Sequence, residues 1–509
     1  MWTDPLPLVV IGIAAAVLVW DVTLAGWITT RREAPRLFTQ LTAFCGLLVI
    51  PALVVSVASG TESGARTISG ITWLQPLVAV TFVLQVLYAV GVRLVSPVVG
   101  IPILLYDLLL AAVAIGDYLV SQRGAAPLAL QAAVSARDVI VGMGVGRAAL
   151  LSPLTMLVPM LAPAYPARWR ISGAVRAVLV LAATALTTLL AMEWPRGVAA
   201  VRSYDVAMAE PMQARPRGDF LIGVRFLPVL DGVPLARTVR ADTMLFAAFA
   251  PDVVLLVLDD EGTTPTALDS LARVLAPWRV DSASGDTLRL AIGLHIGRRA
   301  PLAGDAARVR AVGRVLERLR PDVIFPALPD PVPSWLGSTP PSLAWWQATL
   351  RETAREVRRV RPRTQVGWSA TRLDATDSAV YAWAAAPGSP VTLLGAAAFP
   401  GFSGLPAVDA RLRAFERWHA QALAAGGGQQ THWLTTVGGL PHAHGDAAQV
   451  AAIRRSLAWA SRREWIGAAI VGEPADYEGW VGLRASNGRI RSAMTALGLA
   501  SRRMREVRR

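Results

Sequence analysis

Hydrophobic and polar positions follow two different patterns along this chain of 509 residues. As far as residue 193, long apolar runs are separated by short polar breaks; after residue 217, short apolar runs alternate with amphipathic stretches. The first pattern is typical of helices that cross a bilayer, and the second of repeated strand–helix units. We therefore predict two parts with different folds.

Six apolar runs are long enough to cross about 30 Å of hydrocarbon at about 1.5 Å per residue. The arginine-rich breaks at 31–36, 93 and 167–176 alternate with arginine-poor ones. Because arginine is enriched in cytoplasmic loops, this predicts a protein integral to the cytoplasmic membrane, with everything after Trp194 on the extracytoplasmic side. The six predicted spans are 6–28, 37–59, 71–92, 95–115, 139–163 and 175–192.

Three ionisable residues, Asp21, Asp107 and Arg147, interrupt these spans. A charge at membrane depth costs at least about 2.5 kcal/mol on insertion scales, so such residues usually face the bundle interior and find partners. We interpret the three as a polar cluster in the membrane, with Asp107 close to Arg147. The cluster is either a relay or ligand site, or a structural ion pair.

Eight short β-rich runs follow, with amphipathic helical stretches between them. Eight strand–helix units in about 280 residues match a (β/α)8 TIM barrel. The predicted fold is therefore an all-α transmembrane bundle (1–195), a linker (196–217), an α/β barrel (218–497) and a basic tail (498–509). The eight runs are "DFLIGVRFLP", "PDVVLLVLDDEG", "LRLAIGLHIG", "PDVIFPALPDP", "TQVGWSATRLD", "PVTLLGAAAFPGF", "THWLTTVGG" and "IGAAIVGEP".

Polar and aromatic residues follow several of these runs, where a barrel of this class forms its site. Carboxylates and aromatic rings together suit a sugar, which offers hydroxyls to acceptors and a C–H face to rings. Asp330 and Glu473 are the candidate catalytic carboxylates. The predicted substrate-binding residues are Glu261, His295, Trp335, Asp374, Phe399 and Trp480.

The phrases "LLGAAAFPGFSG" and "GEPADYEGWVGLRASNGRIRSAM", in this order, resemble the sixth- and eighth-strand phrases of a large clan of retaining glycoside hydrolases. This clan of (β/α)8 barrels includes cellulases, β-glucanases and galactanases, and the resemblance covers 218–497. It implies two carboxyl groups about 5 to 5.5 Å apart. One acts as acid/base after strand four and the other as nucleophile after strand seven.

The chain departs from this pattern at both catalytic positions. "LPDP" places Asp330 where the clan usually has glutamate, and the side chain is one methylene shorter. "TTVGGLP" keeps Thr435, Gly438 and Pro441 but places Thr436 at the nucleophile position. A threonine hydroxyl is not ionised near neutral pH and needs an adjacent base to attack. The resemblance therefore implies a degenerate barrel without retaining hydrolysis, leaning away from an enzyme.

Composition excludes other chemistries. The chain has no lysine, so a Walker P-loop, a pyridoxal Schiff base and a protein kinase are excluded. Its one cysteine, Cys45, forms no intrachain disulfide, cysteine zinc site or Fe–S cluster. We expect no cofactor and no metal, and interpret His442 and His444 as polar loop residues. The net charge of +14 comes from scattered arginines, which favours the lipid bilayer over nucleic acid as partner.

Three functions remain open from the sequence. The barrel binds a glycan or a membrane-protein partner at the membrane surface without hydrolysing it. Alternatively, it is an active glycoside hydrolase or transglycosylase with relocated carboxylates, pairing Asp330 with Glu473 or with the acidic residues at 259–261. In the third, the chain is an accessory subunit of a membrane transport or polysaccharide-export complex.

Overall fold

The computed structural model describes twelve stretches of the chain, and the remaining residues lie outside the description. Five predicted site residues are among those outside: Asp21, Arg147, Asp330, Trp335 and Trp480. The predicted spans 6–28 and 37–59, and most of 139–163, also lie outside. The described stretches are 74–91, 93, 96–140, 173–216, 219–227, 234–242, 250–279, 288–296, 305–329, 341–400, 404–476 and 482–505.

Eight parallel strands close into a barrel in sequence order, with β1 paired to β8. Each strand falls inside one of the eight β-rich runs, so the predicted (β/α)8 fold is confirmed. The strands are β1 Leu221–Phe226, β2 Val253–Leu258, β3 Arg289–His295, β4 Val323–Leu328, β5 Gln365–Ala370, β6 Leu393–Ala398, β7 Thr431–Val437 and β8 Ile466–Val471.

The strands are apolar on both faces because one face lines the barrel interior and the other packs on helices. All six residues of β2 are buried. Large side chains, including Leu255, Phe325 and Trp433, fill the interior. Gly367 makes room for one of them, since a Cβ there would lie 2.6 Å from Phe325 Cε1. The lower barrel is therefore a packed core.

Twelve helices are described. Four precede the barrel: α1 Leu74–Gly91, α2 Pro97–Arg123, α3 Leu128–Ile140 and α4 Gly173–Met208. One follows each strand: α5 Leu235–Ala241, α6 Pro265–Arg279, α7 Asp305–Arg318, α8 Leu343–Val360, α9 Ala375–Ala385, α10 Pro406–Ala424, α11 Pro441–Ser461 and α12 Ser492–Arg505.

Within the described part of the chain, α2 is the one helix both long enough and apolar enough to cross a membrane. Helix α1 is also apolar but shorter, and helix α4 coincides with a further predicted span. The six-span bundle is therefore not supported by the described residues and stays a prediction. Helix α4 continues from the predicted span 175–192 into the predicted linker, as far as Met208.

Helix α4 runs along the outside of the barrel against α10 and α11. Ser203 is hydrogen-bonded to Arg413 in the first half of α10. Farther along α4, the Ala207 carbonyl accepts from Arg455 of α11 at 3.2 Å. Beyond the helix, the Gln213 amide donates to Ser461 Oγ at 3.1 Å, at the end of α11. The direction of α4 is thus that of the barrel's own helices, from the mouth to the base.

A buried ionic cluster joins α2 and α3 to the barrel, and we call it the junction cluster. Arg137 of α3 is hydrogen-bonded to Asp117 of α2 and donates to Asp138 Oδ1 at 2.8 Å. Asp138 Oδ2 in turn accepts from the amide of Gly404 at 2.7 Å, in the loop after β6. The predicted partner of Asp107 lies outside the described residues, and Asp107 itself is fully buried.

Candidate functional site

The end of β7 carries a β-bulge at the position of the predicted nucleophile. Ala396 of β6 pairs with Leu434, but Ala397 pairs with Thr436, so Thr435 is an extra residue in β7. A bulge of this kind re-aims the side chains beside it. As a result, Thr435 shares a hydrogen bond with the hydroxyl of Ser369 on β5, and Thr436 turns towards β1.

Arg225 of β1 binds the Thr436 side chain. Its Nη1 donates to Thr436 Oγ1 at 2.6 Å, and its Nη2 donates to the carbonyl of Pro329 at 3.4 Å. Both side chains are buried, with Arg225 only 1% exposed. The guanidinium therefore connects the end of β7 with Pro329, which follows β4.

Arg225 was not among the predicted site residues. It is the one charged residue in the strand phrase "LIGVRF", and strand alternation places it on the same face as Leu221 and Gly223. Leu221 belongs to the barrel interior. An isolated arginine on the inward face of a strand is the signal that could have identified it.

The loop after β8 contains the second candidate catalytic residue. Glu473 is 3% exposed, and its backbone carbonyl accepts from the Leu483 amide at 3.0 Å. Phe399, predicted as an aromatic platform, follows β6 and is 1% exposed. Both side chains therefore lie beneath the surface of the mouth.

Asp476, also after β8, is the centre of an ionic network. His442 Nε2 lies 2.8 Å from Asp476 Oδ2, and Arg491 Nη2 donates to the same oxygen at 2.7 Å. Burial by itself raises the pKa of Asp476, but the hydrogen bonds from His442 and Arg491 outweigh it and bring the pKa below its ordinary value. Arg491 also contacts Asp446 at 3.2 Å. This network fixes the β8 loop against the start of α11.

The same network borders an open cleft of about 390 Å³ between the start of α11 and residues 485–491. His442, interpreted from the sequence as a polar loop residue, contacts Asp476 and Arg491 here, and Asp446 accepts from Arg491. Among the described residues, no group of three or more histidine, cysteine or carboxylate side chains is placed to hold a metal ion.

The other described candidates lie at separate points of the rim. Glu261 is exposed in a turn after β2, and His295 is the half-buried last residue of β3. Asp374 caps α9 by accepting from the Asp377 amide at 2.9 Å. Burial and the neighbouring Asp374 raise the pKa of Asp377 to about 6. Asp374 therefore has a structural task as a helix cap.

No protein-family model and no curated protein matches the sequence. Among solved structures, the chain is similar to a β-glucuronidase from an uncultured Clostridium species, at 11% identity and a TM-score of 0.39, over 56% of this chain and 50% of that one. It is similar to a GH113 β-1,4-mannanase at 11% identity and a TM-score of 0.37, over 56% and 99% of the two chains.

A third similar structure is an endo-β-1,4-glucanase from Xanthomonas axonopodis pv. citri, at 14% identity and a TM-score of 0.39, over 56% and 99% of the two chains. The chain spans only half the length of the glucuronidase. All three are glycoside hydrolases by name, and the barrel fold of this chain rests on its own strand pairing.

Proposed function

We propose that this chain is a membrane-anchored, extracytoplasmic, glycosidase-like barrel that binds a glycan or a partner protein without retaining hydrolysis. The observation that carries the proposal is the contact between Arg225 and Thr436 at the end of β7. A hydroxyl can attack only if a base takes its proton, and a guanidinium offers donors but no acceptor. Arg225 therefore holds the Thr436 oxygen as an acceptor and does not activate it.

Other buried polar groups in the mouth support a binding role. Ser369 and Thr435 share a hydrogen bond, and Glu473 lies buried after β8. Polar groups held in fixed positions on strands of a rigid barrel provide the oriented donors and acceptors that a polar ligand needs. A sugar is the ligand that the sequence resemblance favours, and a protein loop is the second.

The test uses the full chain in detergent micelles or lipid nanodiscs. It is incubated with soluble β-glucan, β-mannan and galactan, and the release of reducing ends is measured. We expect no release above the blank, and no change with Thr436→Ala. Cleavage by the unmodified protein that Thr436→Ala abolishes would refute the proposal.

The second candidate, a hydrolase with relocated carboxylates, is favoured by the burial of Glu473 at the mouth. Glu473→Gln keeps the shape of this side chain and removes its charge. Glu464→Gln is the matched control because Glu464 is exposed in the turn before β8, at the end of the strand opposite to the mouth. If the unmodified protein cleaves a glycan, and only Glu473→Gln stops the cleavage, the hydrolase replaces the binding protein as the function.

The membrane anchor and its orientation are tested separately. A reporter enzyme that is active only in the cytoplasm is fused after Arg509, and we expect no reporter activity because six spans place the barrel outside. Strong activity would overturn this orientation. A role in a transport complex is tested by Asp107→Asn, which removes the buried charge of α2. Unchanged assembly and transport in the host would argue against that role.

A further inference from the structure

Helix α3 packs against α2 and α4 at the points where their apolar runs end, and we call this position along the two helices the apolar level. Two glycines show how close the backbones are, because a side chain at either position would collide with α3. In α2 the predicted span ends at residue 115, and a Cβ on the next residue, Gly116, would lie 2.8 Å from the Leu130 carbonyl of α3. In α4 the predicted span ends at residue 192, and a Cβ on Gly197 would lie 2.5 Å from the Ala132 carbonyl of α3. The apolar runs of α2 and α4 therefore both end where these helices contact α3.

The rim of the barrel touches α3 at this level. Gly404, in the loop after β6, donates its amide to Asp138 Oδ2, and a Cβ on Gly404 would lie 3.3 Å from Val134 Cγ1. The end of α2 makes a second rim contact, because a Cβ on Gly445 at the start of α11 would lie 1.9 Å from the Ser121 carbonyl. Both contacts involve loops or helix starts at the carboxyl ends of strands.

Side-chain character changes across this level. Among the described residues, large apolar side chains are exposed in the predicted spans, with Leu181 at 68% and Met192 at 69%. Beyond the level, the exposed side chains of α4 include Arg196 and Asp205, although Val206 is exposed as well, at 72%. Such a change from exposed apolar to polar side chains is typical of the boundary between hydrocarbon and water.

We infer that the β6–β7 side of the barrel mouth lies at the lipid headgroup layer, and that its ligand is a glycan carried on a membrane lipid. This inference rests on the proposed function. Because α4 extends from the apolar level along the barrel towards its base, the mouth faces the bilayer and the base faces away from it. A headgroup sugar is confined to the layer where the mouth lies, so its effective concentration there is high. A soluble polymer has no such advantage.

The orientation is tested by fluorescence in nanodiscs that contain an acceptor-labelled lipid. Cys45→Ser removes the one native thiol. Asn487→Cys then places a donor dye in the exposed loop after β8, on the mouth side, and Ala425→Cys places it after α10, at the base. The two dyes lie at opposite ends of the barrel. These ends are separated by about 23 Å, the length of the seven residues of β7 at about 3.3 Å per residue. We expect stronger energy transfer from position 487 than from position 425. Equal or reversed transfer would overturn the inference.

The ligand is tested with the same nanodiscs. One set contains β-diglucosyl diacylglycerol, and the other receives the free disaccharide of the same linkage. We expect at least tenfold tighter binding of the anchored sugar. Equal affinity for the two forms would overturn the ligand assignment. If neither sugar binds, the glycan part of the proposed function and the ligand assignment both fail. The position of the mouth at the headgroups is then decided by the energy-transfer experiment, through the comparison of positions 487 and 425.

Discussion

Two buried arginines, Arg137 and Arg225, have different surroundings. Arg137 lies between the carboxylates of Asp117 and Asp138, and through Asp138 it is connected to the loop after β6. Arg225 donates to a hydroxyl and to a backbone carbonyl. The first arrangement pairs the guanidinium with two carboxylates and fixes two helices on the barrel. The second holds the Thr436 hydroxyl at the position where the sequence resemblance implies a carboxylate, and the proposed binding role rests on this contact.

The largest effect is expected from Arg137→Met. Removing one partner from a buried ionic cluster leaves the others uncompensated, which typically costs about 3 to 5 kcal/mol. The free energy of unfolding is measured in detergent micelles. The control is Arg359→Ala, which breaks an exposed pair with Glu356 and should leave the protein close to wild type. Similar losses in the two variants would show that the junction cluster contributes little.

Arg225→Met should have a smaller effect, since hydrogen bonds to charged groups contribute about 1.5 to 3 kcal/mol. Thr436→Val removes the hydroxyl and keeps the shape of the side chain. If Arg225 and Thr436 act through their contact, the double variant loses less stability than the sum of the single variants. A strictly additive result would mean that this hydrogen bond makes no net contribution.

Gly445→Ala tests the contact between α2 and the rim. Gly445 has a φ of +82° and Gly488 a φ of +85°, so alanine brings similar backbone strain at both positions. Only at Gly445 does the new Cβ meet another backbone, the Ser121 carbonyl. Overpacking of this kind costs about 1 to 3 kcal/mol. We therefore expect Gly445→Ala to be less stable than Gly488→Ala by about that amount, and equal stability would argue against a close contact.

His432 extends the comparison to a buried base that stays neutral. Burial, assisted by His419, lowers the pKa of His432 to about 3, and its Nε2 lies 2.9 Å from the Tyr381 hydroxyl. As the pH falls below about 6.5, the unfolded chain takes up a proton that the folded chain refuses, so stability falls with pH. The slope reaches about 1.4 kcal/mol per pH unit between about 6 and 3.

Denaturant unfolding between pH 7 and pH 4 measures this slope. His432→Gln should flatten it, while His295→Gln, at the half-buried end of β3, should keep it. An unchanged slope in His432→Gln would assign the acid sensitivity to other groups.

Each barrel strand was predictable because its signal is local. The apolar run of β2, "VVLLVL", is buried on both faces and is followed by polar turn residues, which identifies it without reference to the rest of the chain. The order of eight such runs then determines the barrel. Thr436 was singled out from a local signal as well, because the phrase around it resembles the seventh-strand phrase of the clan.

The contacts of the mouth and of the junction cluster could not be predicted from sequence patterns. Asp138 and Gly404 are separated by 266 positions, and Arg225 and Thr436 by 211. Neither pair has a local spacing that reveals it. The predicted partner of Asp107, Arg147, lies outside the described residues. The described ion pairs of this region join residues one or two positions outside the apolar runs, which the periodicity does not single out. Tertiary packing decides such pairs.

The continuous helix α4 has a mechanical consequence. Its 36 residues extend over about 54 Å and make it a stiff rod shared by the apolar part and the barrel. Pro195 lies inside the rod and removes one backbone hydrogen bond, which makes that point its most compliant one. The compliant point lies next to Gly197, where α3 packs against the rod. A bend at this point would tilt the barrel relative to the apolar part, and it would have to stretch the contact between Asp138 of α3 and Gly404 of the rim.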